Sequence, residues 1–286
     1  MDSSDGSPEG RILRPAGWGR GAGVKVVLAT MTMGIAAIAT VGTGAFLFVQ
    51  GNVSTALILV LLCPLFFVFA GLGVSVVRSR PRLSESDVTS FVDPSAGPSV
   101  SFPYVRSLGV LAIVGIVDMM VLFVLALSAG LLAAHGGQGR GWLPQVIIGI
   151  GGILCSGWLL MDVLRGRLSR GYVALSPLGI THHSWSFTIF VRWESVFGVE
   201  TQEGSLLAVL VSANATPRVE RHARGWRQPE LVALPQLLIR GGYLSVDPAL
   251  LLRVLEFYGT HPEARAELGR ADAADLVRAR AYELAT

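Results

Sequence analysis

The residue with the clearest potential for chemistry is a carboxylate inside an otherwise apolar stretch of the chain. Asp118 is the only ionisable residue between positions 108 and 134. A charged side chain near the middle of a bilayer costs about 2.5–3.5 kcal/mol on insertion scales, so Asp118 is a candidate proton or cation site. The structural alternative is a protonated Asp118 that joins two helices by a hydrogen bond. Ser156, at a matching depth in the next apolar stretch, is the expected hydrogen-bond partner.

A second set of candidate residues is a basic run that surrounds a tryptophan. Its members are Arg218, Arg221, Arg224, Trp226 and Arg227. Near a membrane surface, arginine side chains are attracted to anionic lipid headgroups by about 1 kcal/mol each, and tryptophan favours the interface. The run is therefore a candidate contact for lipid headgroups. A solvated loop is the alternative, because Glu220 and Glu230 dilute its positive charge.

Patterns typical of catalysis or of metal binding are absent from the sequence. His182 and His183 are adjacent in a predicted strand, so their side chains point to opposite faces and cannot easily share one metal ion. The chain has no Walker A run, no GxGxxG after a strand and no GxSxG elbow. We expect no enzyme activity, no metal and no cofactor. A net charge of +3 and the lack of a basic helix with interleaved aromatic residues argue against a nucleic-acid partner.

The elements that carry these residues are mostly apolar helices. Hydrophobic residues make up 51% of the 286 residues and charged residues 15%, with a mean hydropathy of +0.56. A soluble domain carries roughly a quarter charged residues, so this composition disfavours a soluble enzyme. Four stretches exceed the roughly 20 apolar residues that a spanning helix needs. They are 26–49, 55–77, 108–134 and 144–164, which predict transmembrane hairpins at 26–77 and 108–164.

The distribution of basic residues predicts how the chain crosses the membrane. Eleven lie next to the span ends on one side, and Arg140 alone lies on the other. By the positive-inside rule, both termini and the loop 78–107 face the cytoplasm. The tail 1–25 and the Pro/Ser-rich loop 78–107 are expected to remain loosely structured. Lys25 is the only lysine, as is typical of a GC-rich bacterial genome, so we expect a bacterial plasma membrane.

From about residue 168 the pattern changes to short strands followed by an amphipathic helix. Alternating apolar residues predict strands at 172–175, 180–185, 187–193, 199–202 and 206–212. A helix is expected to begin after Asp247, which can cap it, and to end at Gly259. Residues 260–286 are expected to form a helical tail. The pattern favours a small β-barrel plugged by a helix, and we expect 168–286 to fold alone.

Two runs in this region resemble a known family. VALSPLGI at 173–180 and VRWESV at 191–196 are similar to the opening hairpin and turn of bacterial pleckstrin-homology-like (PH-like) domains, with Ser176 and Arg192 as departures. The resemblance covers about 168–259 and implies an α+β barrel capped by a helix. It implies a non-catalytic binding or assembly module for protein partners, for itself or for inner-leaflet lipid. The hairpin tip has no basic residue, so phosphoinositide recognition is not implied. An oligomeric transporter or channel subunit that uses Asp118 is the alternative.

Overall fold

The chain forms two compact units. The structure, a computed structural model, describes residues 24–51, 59, 62–63, 65–71, 73–74, 87–93, 96–136, 142–202, 208–223 and 229–283. The helical unit consists of the described parts of Ala22–Arg78 and Val105–Arg170. The β unit consists of the described parts of Ser79–Tyr104 and Gly171–Thr286.

Three long helices dominate the helical unit: α1 at Val24–Val49, α2 at Arg106–His135 and α3 at Leu143–Leu164. Each is long and apolar enough to cross a membrane. The second predicted span, 55–77, is described only in part, and its described positions from 59 to 74 are helical. Pro64, where we expect a kink, lies outside the described residues. The structure thus shows three membrane-length helices among the residues that it describes, and the fourth span stays a prediction.

Small residues let α3 approach α2 closely. A Cβ atom added at Gly149 would lie 2.7–2.8 Å from the Cβ, Cα and N atoms of Leu127. One added at Gly152 would overlap the ring of Phe123. Helices in lipid associate through such close packing, because no hydrophobic force drives them together. Gly149 and Gly152 of α3 therefore form a packing surface against α2.

The described positions of 59–74 pack against α1. The thiol of buried Cys63 donates to the Ala37 carbonyl oxygen, with Sγ 3.7 Å from that oxygen. Near the other end of this segment, a Cβ added at Gly73 would collide with the side chain of Thr30. The two helical segments therefore run antiparallel.

The described part of the β unit contains nine strands and three α-helices. The strands are β1 Thr89–Asp93, β2 Gly97–Pro103, β3 Tyr172–Leu175, β4 Gly179–His183, β5 Phe187–Arg192, β6 Val196–Gln202, β7 Ala208–Ala213, β8 Arg218–Arg221 and β9 Leu237–Arg240. The helices are α4 Pro229–Val232, α5 Pro248–Thr260 and α6 Ala273–Glu283, with 3-10 helices at Trp193–Ser195, Gly241–Tyr243 and Pro262–Gly269. One antiparallel sheet has the order β1-β2-β3-β4-β5-β8, and the other has β6-β7-β9. Within the described residues these sheets do not close into a barrel.

The segment 78–107 is not the loose loop that its prolines and serines suggest. Residues 89–103 form the hairpin β1–β2, and β2 pairs with β3 in register Val100↔Leu175. Val88, Val100 and Phe102 are fully buried in the core. Serines alternate with large apolar residues in β2, so one face of the strand fills the core. The expectation of a loosely structured loop is therefore wrong for the described residues of this segment.

The β unit is therefore discontinuous in sequence, because α2 and α3 are inserted between β2 and β3. The chain leaves this unit at Tyr104 and returns at Gly171, and the Tyr104 N–H donates to the Gly171 carbonyl oxygen over 2.9 Å. The C-terminal boundary also differs from the prediction. Leu268, Ala273 and Val277 belong to the same core, so 260–286 is not a separate tail.

The sequence runs 173–180 and 191–196 are joined inside the core. The Trp193 indole N–H donates to the Ser176 carbonyl oxygen over 2.8 Å, and the Ser176 hydroxyl donates to the Gly179 carbonyl oxygen over 3.0 Å. A Cβ at Gly179 would collide with the Val191 carbonyl oxygen, so the hairpin requires glycine there. The guanidinium of Arg265 lies over the Trp193 ring, 5.3 Å from its centroid. These motif residues are thus structural.

Helix α5 begins directly after Asp247, as predicted, and ends one residue beyond the predicted Gly259. The Asp247 carboxylate accepts a hydrogen bond from the Ala249 N–H over 2.9 Å and caps the helix. The face that carries Leu251, Leu255 and Tyr258 is buried against the sheets.

Candidate functional site

The face of α2 that carries Asp118 packs against the described helical positions of 59–74. Leu111 Cδ2 lies 3.2 Å from the Cβ position of Gly71, and Val68 Cγ1 lies 3.1 Å from that of Gly115. Asp118 follows Leu111 by seven residues and Gly115 by three, so the helical repeat places all three on one face. Its Oδ2 atom is shielded from solvent and has no hydrogen-bond partner among the described residues.

The predicted hydrogen bond between Asp118 and Ser156 is not present. The Ser156 hydroxyl donates to the Gly152 carbonyl oxygen of its own helix over 2.7 Å. Serines in apolar helices satisfy themselves in this way when no other acceptor is near. Phe123 and Leu127 mark the face of α2 that meets α3, and Asp118 lies well around the helix from that face. The prediction compared only the depths of Asp118 and Ser156 along their helices. The angular position of Asp118 around α2 excludes the hydrogen bond.

The predicted basic run is only partly described. Arg224, Trp226 and Arg227 lie outside the described residues. Arg218 and Arg221 lie at the two ends of β8 and are both exposed. Because they are three residues apart on a strand, their side chains leave opposite faces of the sheet. The two arginines that are described therefore do not converge on one headgroup.

Arg218 instead takes part in an open groove on the outer face of the large sheet. The groove has a volume of about 530 Å³ and is lined by Leu178, Thr188, Phe190, Arg192, Glu194, Arg218 and Glu220. The strand register explains this set, since Thr188 pairs with Glu220 and Phe190 with Arg218. Two arginines and two glutamates surround an apolar floor. This mixed charge suits a polypeptide better than an anionic headgroup.

A row of ring side chains crosses the same face of the sheet beside the groove. The Tyr172 and His183 rings are stacked with centroids 4.8 Å apart, and the His183 and His222 centroids are 5.5 Å apart. The Thr188 hydroxyl lies 2.8 Å from a nitrogen of each imidazole, Nδ1 of His183 and Nε2 of His222. The pKa of His183 is lowered to about 4, mainly by burial and also by neighbouring His222, although Asp93 acts in the opposite direction. Both rings face β5 and β8, so they support the strands that form the groove.

The interior of the β unit holds a cluster of buried polar side chains that sequence patterns did not reveal. The Tyr104 hydroxyl lies 2.6 Å from Nε2 of His182, and both residues are buried. Burial lowers the pKa of His182 to about 3 and raises that of Tyr104, with the charge of Glu230 adding to the latter. Glu230 is buried and accepts from Arg240 Nε over 2.8 Å.

The signal for this cluster was present only in part. His182 falls on the inward face of a predicted strand, but Tyr104 and Glu230 lie in segments that the sequence suggests are loops. Groups from such distant parts of the chain are brought together only by the sheet topology. Their contacts stabilise the fold.

Comparisons with known proteins add no relative. No protein family, no curated protein and no solved structure matches this chain. Among the described residues, no group of three or more histidine, cysteine, aspartate or glutamate side chains is placed to hold a metal ion. The site with the best geometry for recognition is therefore the open groove on β5 and β8.

Proposed function

We propose that this chain is an integral membrane protein that presents a PH-like domain as a binding or assembly module. The observation that carries the proposal is the groove on β5 and β8, where Arg192, Arg218, Glu194 and Glu220 surround exposed Leu178. Such a surface can exclude water over its apolar floor while its charged rim selects a partner. The proposal assigns no catalytic activity to the chain.

The assignment of a PH-like domain is supported by the order of its elements. The SPLG hairpin is followed by a Trp193-centred turn, a second small sheet and the capping helix α5. The two antiparallel sheets pack on one core, to which α5 contributes Leu250, Leu251 and Leu255. A four-span arrangement is supported by the helical positions between residues 59 and 74.

The location we propose is a bacterial plasma membrane, with both termini and the β unit on the cytoplasmic side. Three observations on charge support this orientation. Arg106 is the first residue of α2, and Arg165 and Arg167 follow α3. At the other ends of these helices, His135 and Gly136 carry no permanent positive charge. Positive charge near span ends stays on the cytoplasmic side.

A photocrosslinking residue in the groove tests the proposed recognition. With a benzophenone amino acid at Phe190 in the full chain, we expect ultraviolet-dependent adducts with a protein in intact cells. The matched control is the same amino acid at Val232, an exposed position of α4 that does not line the groove. Adducts with lipid alone would contradict a protein partner, and equal labelling at both positions would contradict a specific site.

A second candidate function, an oligomeric transporter or channel subunit, rests on Asp118. The observation that favours it is the shielded Oδ2 atom, which has no hydrogen-bond partner among the described residues. Intramembrane carboxylates of this kind are functional candidates by default. The test is ion or proton flux in reconstituted vesicles, where Asp118→Asn must abolish transport and Ser128→Ala, on the same helix, must leave it unchanged. Equal flux with Asp118→Asn would exclude this function.

A further inference from the structure

The large sheet ends at a strand whose outer edge can accept another strand. β8 pairs with β5 and has no other strand neighbour among the residues that the structure describes. At the opposite end of the sheet, β1 is contacted by α6, where the Ala274 N–H donates to the Ser90 hydroxyl over 3.1 Å. An edge strand presents backbone donors and acceptors to any strand that lies beside it. The sheet can therefore be extended at β8.

Alternate residues of β8 direct their backbone N–H and C=O groups to opposite sides of the strand. This alternation determines which residues would form hydrogen bonds with an added strand. The His222 N–H donates to the Ser186 carbonyl oxygen over 2.8 Å. Because antiparallel ladders alternate, Glu220 and Arg218 also direct their backbone groups toward β5. The backbone groups of Val219 therefore point away from β5, toward the open edge. Opposite Val219, an added strand must place a residue whose own backbone N–H and C=O groups point toward β8.

The side chains of β8 are complementary to a second copy of the same strand. In an antiparallel pair centred on Val219, each Val219 lies opposite its counterpart, and Arg218 of each copy lies opposite Glu220 of the other. These would be close pairs without backbone hydrogen bonds, with Cα atoms about 4.5 Å apart. Opposite charges there stabilise the ladder by about 0.2–1 kcal/mol per pair.

Neighbouring registers that keep this alternation of backbone groups are unfavourable. A shift of two residues in one direction places Glu220 opposite Glu220, and a shift in the other places Arg218 opposite Arg218. Like charges directly opposite each other destabilise a sheet. The charges of β8 thus select one self-pairing register.

We propose that two copies of this chain dimerise through β8, joining their six-stranded sheets into one continuous sheet about a two-fold axis at Val219. This inference rests on the proposed assembly role and names its partner as a second copy of the chain. Arg218 and Glu220 also line the groove, so pairing brings the grooves of the two copies next to each other. A four-residue strand gives a small interface, and confinement of both copies to one membrane raises their effective concentration.

Charge reversal with rescue tests the dimer. Full-length chains carrying donor or acceptor fluorophores are reconstituted in phosphatidylcholine vesicles, and dimerisation is measured by energy transfer as a function of protein density. Arg218→Glu and Glu220→Arg should each weaken the dimer about tenfold, because each places like charges opposite one another twice. The double variant restores opposite charges and should return to within about threefold of the natural chain. Arg221→Glu changes the same charge on the same strand but faces away from both pairs, and it should leave the dimer unchanged.

Disulfide formation provides a second readout that does not depend on those charges. In a background with Cys63→Ala and Cys155→Ala, chains carrying Arg218→Cys and Glu220→Cys are co-expressed, and isolated membranes are treated with copper phenanthroline as the oxidant. The two chains should then crosslink, whereas either chain alone should not. A monomeric natural chain, a double variant as weak as the single variants, or an Arg221→Glu variant as weak as Arg218→Glu would each overturn the inference. A monomer that still yields protein adducts from the Phe190 position would overturn the dimer alone and leave the proposed binding role intact.

Discussion

At the scale of single residues, the two adjacent histidines of β4 show how strand alternation separates their roles. His182 points into the core and contacts the Tyr104 hydroxyl, whereas His183 points to the outer face and contacts Thr188. The prediction that they cannot share a metal ion follows from this alternation and agrees with the geometry. What they share is burial, which lowers the pKa of each imidazole below its usual value near 6.5.

We expect the β unit to lose stability in mild acid. The folded state holds His182 and His183 neutral, with pKa values of about 3 and 4, whereas the unfolded chain binds protons near pH 6.5. Stability should therefore be independent of these groups above pH 6.5 and should fall as the pH drops from 6.5 toward 4. Thermal unfolding of the full chain in detergent, measured from pH 7.5 to pH 4, checks this expectation.

His183→Gln isolates the contribution of one imidazole to this acid sensitivity. Glutamine can still bond to Thr188 but does not titrate, so the decrease of the unfolding midpoint between pH 6.5 and pH 4 should become smaller. The control is His261→Gln, at an exposed position after α5, which should leave the decrease unchanged. A pH profile that is the same in all three proteins would contradict the role of His183.

At the scale of elements, close helix packing depends on which face of a helix a small residue occupies. Gly149 of α3 lies against the backbone of Leu127, whereas nothing lies within 4 Å of the Cβ position of Gly151. Both glycines belong to the same run in the sequence. Composition alone therefore predicts a packing surface on α3, and only the structure shows which glycines form it.

Gly149→Ala and Gly151→Ala form a matched pair that tests this packing. The added methyl group at position 149 would meet Leu127 at 2.7–2.8 Å and must push the helices apart, which we expect to cost about 1–3 kcal/mol. The same change at position 151 enters open space and should be neutral. The thermal stability of the full chain in detergent is the measurement. Equal midpoints for the two variants would contradict the α2–α3 contact described above.

The hairpin β1–β2 supplies part of the core of the β unit, so we expect the unit to need this hairpin in order to fold. Val100 and Phe102 fill the core beside Val173 and Leu175 of β3, so a fragment that begins at β3 lacks part of its core and exposes an edge. The fragment 168–286, which the sequence alone suggested would fold, should remain unfolded. A chain that joins residues 87–104 to 171–286 through a short Gly/Ser linker should fold, because Tyr104 and Gly171 are hydrogen-bonded neighbours. Far-ultraviolet circular dichroism and nuclear magnetic resonance dispersion distinguish the two, and a well-dispersed spectrum from 168–286 would contradict this account.

The sequence predicted the elements whose patterns are local. The strands β3 and β5 and the helix α5 have clear periodicity and appear within a residue or two of the expected positions. β2 was missed because Pro98 and Pro103 suggested a loop, although the alternation Ser-Val-Ser-Phe between them is the pattern of a half-buried strand. β8 carries a single apolar residue and gives no such signal.

The candidate site was harder to predict than the fold. Arg218 was singled out for its charge, but its groove neighbours Arg192, Glu194 and Glu220 come from two strands and a turn whose pairing the sequence does not specify. Asp118 was recognised because an isolated carboxylate in an apolar helix is conspicuous. Its partner was assigned wrongly, since depth along a helix does not determine which face a residue occupies.

At the scale of the whole molecule, α2 and α3 are inserted into the β unit, so under the proposed function two membrane-spanning helices interrupt one sheet. The first hairpin of the large sheet is synthesised before α2, and its partner strand β3 is synthesised after α3. The sheet can be completed only when both ends of the inserted helices are available on one side of the membrane. Tyr104 and Gly171 must therefore lie on the same side of the membrane. The hydrogen bond between their backbones has the same requirement.

The central claim is that this is a membrane protein whose β unit lies in the cytoplasm. The most direct test is to measure on which side of the membrane the end of α2 and the β unit lie. In the background with Cys63→Ala and Cys155→Ala, single cysteines are placed at His135, at the end of α2, and at Val232, an exposed position of the β unit. A maleimide that cannot cross membranes should label the cysteine at position 135 in intact cells, and it should label the cysteine at position 232 only after the cells are permeabilised. Labelling at position 232 from outside intact cells would contradict a membrane protein that holds its β domain in the cytoplasm.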